Sequence, residues 1–232
     1  MYQVNILHFI EGAKQAEGLA VIIDVFRAFS LECYLYDMGV KEIRPVRTIE
    51  EAFSLRSCIP NSILIGERGG KKCEGFDYGN SPSAVSREHV TGRTVIHTTS
   101  AGTQGVVNAI GASEIITGSL VNAKAVAEYI MVKQPEIVSL VCMGNGGVRP
   151  AVEDELCAEY IKSILENREF PDFEKRVSDL EHNGGKHFFD QFKQEIFPEA
   201  DFWMCVKYDF FPFVIKVEKD EFGFITKREF VI

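Results

Sequence analysis

Five times along the chain a short apolar run gives way to a polar or glycine-rich segment, after which helical spacing begins. The handovers are Leu19–Ile23 into Asp24, residues 63–65 into Gly66-Glu67-Arg68-Gly69-Gly70, and residues 94–96 into Thr98-Thr99-Ser100. Residues 115–116 run into Gly118-Ser119, and residues 137–141 into Gly144-Asn145-Gly146-Gly147. A strand that hands over to a helix in this way is the unit of an α/β sheet. In an open parallel sheet all five endings are expected along one edge, where such proteins hold ligands. They carry carboxylates, hydroxyls, arginines and glycines, which suits a metal ion and an anion bound together.

The alternation is regular up to about residue 167. Strands are predicted over 3–7, 19–23, 42–46, 62–65, 93–96, 114–116 and 136–141, with helices over 27–38, 49–58, 102–110, 123–132 and 153–165. Thr48 with Glu51 three residues on reads as a capping box, and Asn122 as a second cap. Gly39 and Gly111 fall where helices should stop. Beyond residue 167 the texture changes. Residues 172–183 are polar, residues 187–197 read as a Phe-rich helix, and residues 202–206, 213–217 and 222–226 as consecutive strands. The fold class expected is a layered α/β/α protein with a mainly parallel or mixed sheet and an antiparallel C-terminal extension or small second lobe. The division would be a catalytic region over 1–167 and an α+β extension over 168–232, or one integrated domain.

A chain of 232 residues, 46% apolar and 25% charged, has the composition of a globular protein with a sizeable core. A net charge of −9 argues against a nucleic-acid partner, which needs clustered Lys and Arg. It does not exclude a small anion, because a few arginines and a divalent cation reverse the sign locally. The six cysteines form no CxxC pair and read as reduced, cytoplasmic residues. No apolar stretch approaches the ~20 residues of a membrane span, and residues 1–12 read as a first strand rather than a leader. A homodimer is compatible with all of this.

Asp24 ends a buried strand and Arg27 follows at a helix start; such a carboxylate can ligate Mg²⁺ or attack phosphorus, and such an arginine can grip an oxyanion. The plainer alternative is a helix cap paired with Arg27. Glu67 and Asp77 stand in a glycine-rich stretch from Gly66 to Pro82 and offer hard oxygen ligands, or simply belong to an exposed turn. Thr98, Thr99, Ser100, Gly102 and Thr103 crowd a helix start, where free amides bind phosphate or where hydroxyls merely cap; Ser119 repeats the logic more weakly. Glu153 and Asp154 open a later helix, where acids also favour the dipole. The five histidines lack zinc-motif spacing, so a zinc site is not expected.

Taken in order, Asp24-Val25-Phe26-Arg27-Ala28, Gly66-Glu67-Arg68, Gly75-Phe76-Asp77-Tyr78-Gly79-Asn80-Ser81-Pro82, Thr98-Thr99-Ser100-Ala101-Gly102-Thr103, Gly118-Ser119 and Glu153-Asp154 with Cys157-Ala158 resemble the 2-phosphosulfolactate phosphatases. These are Mg²⁺-dependent phosphatases of coenzyme M biosynthesis, and the string from Gly75 to Pro82 is the most specific piece. Phe29, Ala101 and Gln104 stand where that family usually has Ser or Thr, Asn, and Arg. The resemblance implies hydrolysis of the small anionic ester (2R)-phosphosulfolactate to sulfolactate and phosphate. It places Mg²⁺ among Asp24, Glu67, Asp77, Glu153 and Asp154, and catalysis on Asp24, Arg27 and Glu67. Arg68, Asn80, Ser81, Thr98, Thr99, Ser100, Gly102, Thr103 and Ser119 would bind substrate. Asp24 would act either as a nucleophile, forming a phosphoaspartate, or as the holder of a metal-bound water. A phosphatase for another 2-phospho acid and a non-catalytic anion sensor are the competing readings.

Overall fold

The computed structural model describes residues 3–231. In chain order the elements are β1 (Gln3–His8), α1 (Phe9–Lys14), β2 (Leu19–Ile23), α2 (Ala28–Asp37), β3 (Glu42–Pro45), α3 (Ile49–Cys58), β4 (Ile63–Arg68) and β5 (Lys71–Lys72). Then come α4 (Arg87–Val90), β6 (Thr94–Thr98), α5 (Gly102–Asn108), β7 (Glu114–Gly118), α6 (Ala123–Lys133), β8 (Ile137–Cys142) and α7 (Val152–Leu165). α8 (Phe173–Asp179), α9 (Glu199–Cys205), β9 (Phe213–Asp220) and β10 (Gly223–Phe230) complete the chain. Every strand and helix expected before residue 167 is present. The capping box at Thr48 forms, with Glu51 N donating to Thr48 Oγ1 at 3.1 Å and Thr48 N to Glu51 Oε2 at 3.3 Å. Asn122 does not cap α6; its side-chain oxygen accepts from Ser119 N at 3.0 Å instead.

All ten strands share one mixed sheet, in the order β1-β8-β2-β7-β9-β10-β3-β6-β4-β5. β1, β8, β2 and β7 run parallel to one another, as do β3, β6 and β4. Between the two blocks lies the β9–β10 hairpin, antiparallel to β7 on one side and to β3 on the other. Three reversals make the second block run against the first. The five strand ends therefore do not share an edge as expected: β2, β7 and β8 finish on one side, β4 and β6 on the other.

Curvature brings them together. α5, which follows β6, touches β2, β3 and β6, although β2 and β6 are five places apart in the sheet. A flat sheet would separate those strands by about 24 Å, more than one helix can bridge. The sheet therefore wraps α5, whose Val106 packs with Ala20 and Ile22 of β2, Phe29 of α2 and Val217 of β9 in one buried cluster. A second cluster fills the opposite side, where α6 and α7 cover β2 and β8.

Two expectations for the C-terminal part are corrected. Residues 202–206 are not a strand: 202–205 lie in α9 and Val206 is its C-cap, and of the helix expected over 187–197 only residues 187–189 are helical, in the single 3₁₀ turn Lys186–Phe189. The run of aromatics imitates a buried strand. Pro198 at the N-cap with Glu199 and Asp201 in the first turn starts a helix, and it buries Asp201, Phe202 and Cys205, which lie on one helical face. Residues 213–217 and 222–226 do pair, as parts of the longer β9 and β10. Asp220 Oδ1 accepts from Phe222 N at 2.8 Å in the turn between them.

Candidate active site

Asp24 emerges from β2, whose five residues are all buried, and its amide donates to Gly118 O on the neighbouring strand. Oδ1 accepts from Ala28 N at 3.1 Å, as a helix cap would. Oδ2 lies 2.8 Å from the point where a Cβ on residue 102 would stand, so only glycine lets the start of α5 come this close. Burial first, and the charge of Glu67 second, raise the carboxyl to about 6 against the opposing pull of the Ala28 and Gly102 amides.

Three more carboxylates act on Asp24. Glu67, at the end of β4, accepts from Ser100 N (2.6 Å) and Gly70 N (2.6 Å), which fixes the β4 and β6 loops to each other. Asp154, in the first turn of α7, accepts from Val25 N at 2.8 Å and Gly144 N at 2.7 Å and so ties the ends of β2 and β8 together. Burial pushes it well above the usual carboxylate range, as do the charges of Asp24 and Glu153. Glu153 is raised to about 7, by burial first and by Asp24 second. Its Oε2 is buried, lies 2.3 Å from where a Cβ on Gly184 would stand, and finds no hydrogen-bond partner among the described residues.

Asp24, Glu67, Glu153 and Asp154 thus form one electrostatic group drawn from both blocks of the sheet. Asp77 does not join it. Its Oδ2 is held by Leu64 N at 2.8 Å and Arg56 at 3.2 Å, and it fastens the glycine-rich stretch to α3 and β4. The donor chemistry of the four suits a hard divalent cation: all are oxygens, three have carboxyls raised so that a cation would displace the proton, and one buried oxygen lacks a partner. No three of them bring oxygens within 4.8 Å of one another among the described residues. Mg²⁺ is usually held by one or two carboxylates and keeps several waters, so it does not require such a cluster.

Arg27 is placed differently from its expected role. Its guanidinium is buried, donates to Asp201 Oδ2 at 2.6 Å and Ile196 O at 3.0 Å, and lies over the Phe197 ring. Asp201 also accepts from Ser81 Oγ (2.9 Å), Ser83 N (3.0 Å) and Ser83 Oγ (2.6 Å). The pair clamps α9 to the start of α2 and to the loop after Asn80. Asn80 itself meets His97 Nε2 at 3.0 Å, and His97 Nδ1 meets Glu32 at 2.8 Å, all three residues being buried.

The expected anion binders divide. Arg68, Thr99 and Ser100 line a pocket of about 550 Å³, together with Arg47, Thr48 and Gln104. Arg68 is braced there by Thr98 Oγ1 at 2.9 Å. Thr103 is engaged with Thr99 in a reciprocal pair of bonds, Thr99 N to Thr103 Oγ1 (2.8 Å) and Thr103 N to Thr99 Oγ1 (3.1 Å). Ser119 is buried against Ser30 at 2.6 Å. Because Ser100 both lines the pocket and binds Glu67, the pocket opens beside the carboxylates.

Sequence reasoning missed Arg47, Glu32 and Asp201. Arg47 follows β3, which is not counted among the five strand-to-helix handovers, although the cap at Thr48 was a usable signal. Glu32 lies mid-helix, and Asp201 lies just before the segment misread as a strand.

A family model described as 2-phosphosulpholactate phosphatase matches residues 6–220. A Bacillus subtilis protein named probable 2-phosphosulfolactate phosphatase is 31% identical over 202 residues, covering 86% of this chain and 87% of its own length. Proteins of the same name from Caldicellulosiruptor saccharolyticus and Thermotoga petrophila are 41% identical over 161 residues and 40% over 153; each alignment covers 65% of the relative, and 67% and 66% of this chain. With four carboxylates gathered beside an arginine-lined pocket and a family match running almost its full length, the chain belongs to the 2-phosphosulpholactate phosphatase family of phosphoric monoester hydrolases.

Proposed function

We propose that the protein is a Mg²⁺-dependent phosphatase that hydrolyses (2R)-2-phosphosulfolactate to sulfolactate and phosphate. The observation that carries the reading is the position of Asp24, ringed by Glu67, Glu153 and Asp154 and next to a pocket containing Arg47 and Arg68. Asp24 and Glu153 are the residues that would hold Mg²⁺; Asp154 and Glu67, with both oxygens committed to backbone amides, fix the loops around them. When bound, the ion supplies charge to neutralise the phosphoryl oxygens and the crowded carboxylates. Arg68 meets the substrate as a planar fork already oriented by Thr98, and Arg47 adds a second positive charge for a substrate that bears phosphate, sulfonate and carboxylate. The Arg27–Asp201 pair acts at one remove, by holding Gly70 and the Ser81–Ser83 loop against the site.

The test is phosphate release from 2-phosphosulfolactate, phospholactate and phosphoglycolate, each with Mg²⁺ and with EDTA. Mg²⁺-dependent turnover fastest on 2-phosphosulfolactate is the expected result. Faster turnover of another ester would move the assignment to a different 2-phospho acid. Gln104 favours that second reading, because its amide is spent on Arg47 O and Thr99 O and supplies no charge to the pocket. Absence of release from all three would overturn the phosphatase reading in favour of a non-catalytic anion sensor.

A further inference from the structure

Beside the four carboxylates, and sharing none of them, the first strand and the start of α7 assemble a different set of donors. His8 and Cys142 are the last residues of β1 and β8 and are direct partners in the parallel register, so their side chains leave the same face of the sheet. Glu155, in the first turn of α7, meets His8 Nε2 at 3.0 Å through Oε1 and at 3.2 Å through Oε2. An imidazole nitrogen, a thiol sulfur and a carboxylate oxygen lie within 4.8 Å of one another. A tetrahedral ion with bonds of about 2.0–2.3 Å to such ligands spaces them roughly 3–4 Å apart.

We propose that His8, Cys142 and Glu155 form a binding site for a thiophilic divalent cation of the zinc class, separate from the Mg²⁺ carboxylates. The mixed nitrogen, sulfur and oxygen set selects against Mg²⁺, which takes oxygen ligands, and toward Zn²⁺ or Co²⁺. Three protein ligands leave a fourth position open, and the exposed edge of His8 gives the ion a route from solvent to the buried sulfur. Without a cation, Cys142 donates weakly to Asp154 O at 3.5 Å and His8 Nε2 and the Glu155 carboxylate stay in contact at 3.0 Å, so the donors stay in place. The histidines were set aside at the level of sequence because no two have zinc-motif spacing; the strand register supplies the neighbour that spacing could not show.

Titration of the reduced, EDTA-stripped and desalted protein with Co²⁺ tests the site without any assay of activity. The expected result is one equivalent bound with a thiolate-to-cobalt charge-transfer band, bleached by one equivalent of Zn²⁺ and retained in excess Mg²⁺. Cys142→Ser should abolish the band, and His8→Ala should weaken binding about tenfold or more. Cys58→Ser, which removes the exposed thiol, should leave it unchanged. Since His8 is exposed, its variant keeps the test valid even if Cys142→Ser fails to fold. No band at saturating Co²⁺, or one that depends on Cys58 rather than on His8 and Cys142, overturns the assignment.

Discussion

Asp24→Asn should make the metal-free protein more stable while stopping hydrolysis. In the folded protein the Asp24 carboxyl is raised from its ordinary value of 3.8 to about 6. Because the folded value lies above the unfolded one, the folded state binds the proton more tightly. The group's contribution is then most favourable below pH 3.8 and is lost as pH rises through 6. At pH 8 ionised Asp24 costs the fold roughly 3 kcal/mol. Asn keeps the size of the side chain and an oxygen for Ala28 N, and it cannot ionise beside Glu67, Glu153 and Asp154. Urea unfolding in EDTA at pH 8 should show a gain of about 1–3 kcal/mol that shrinks toward zero near pH 4. Phosphate release with Mg²⁺ should fall on the order of a thousandfold. A variant that is less stable at pH 8 yet turns over normally would refute the reasoning and leave Asp24 as a helix cap.

Asp201→Asn leaves Arg27 buried against a neutral amide and should destabilise the fold by about 3–5 kcal/mol in urea unfolding, whereas Ser83→Ala, losing one hydrogen bond to a charged acceptor, should cost about 1.5–3 kcal/mol. Gly102→Ala would place a methyl 2.8 Å from both Asp24 Oδ2 and Ala28 Cβ; a loss of about 1–3 kcal/mol, together with lowered kcat, is the expected outcome. Arg68→Ala should raise KM and lower kcat, with Arg68→Lys recovering only part, because a point charge cannot bridge Thr98 and an anion as a fork does. Burial and the Arg27 charge hold His187 down at about 4, so stability should fall as pH drops from 6.5 toward 4, and His187→Gln should flatten that slope in thermal melts.

The parallel units were legible because each carries its own punctuation: a run such as Leu19–Ile23, a polar stop, and a capped or glycine-started helix. Direction was not. Whether β4 and β2 run the same way depends on how many antiparallel steps lie between them, and those steps come from residues 213–230, more than a hundred positions later. Asp24, Glu67, Glu153 and Asp154 were legible as carboxylates at strand ends and helix starts. That Asp77 would be spent on Leu64 N and Arg56, and Arg27 on Asp201, depended on long-range packing that no local pattern encodes. The C-terminal misreading has the same origin, since alternating and continuous aromatic runs look alike until a neighbour decides which face is buried.

The central position of the β9–β10 hairpin has a consequence for how the chain reaches its fold. The two parallel blocks are encoded by residues before position 143, yet the strands that join them end at Phe230. During synthesis β7 and β3 emerge with unpaired edges and wait for partners that are translated last. Such long-range closure raises contact order and slows the final step. Until it happens the half-sites remain apart, with Asp24 in one block and Glu67 in the other. Loss of residues 213–230 would therefore expose two sheet edges at the middle of the molecule, the hydrogen-bonding surfaces most prone to pair with other chains.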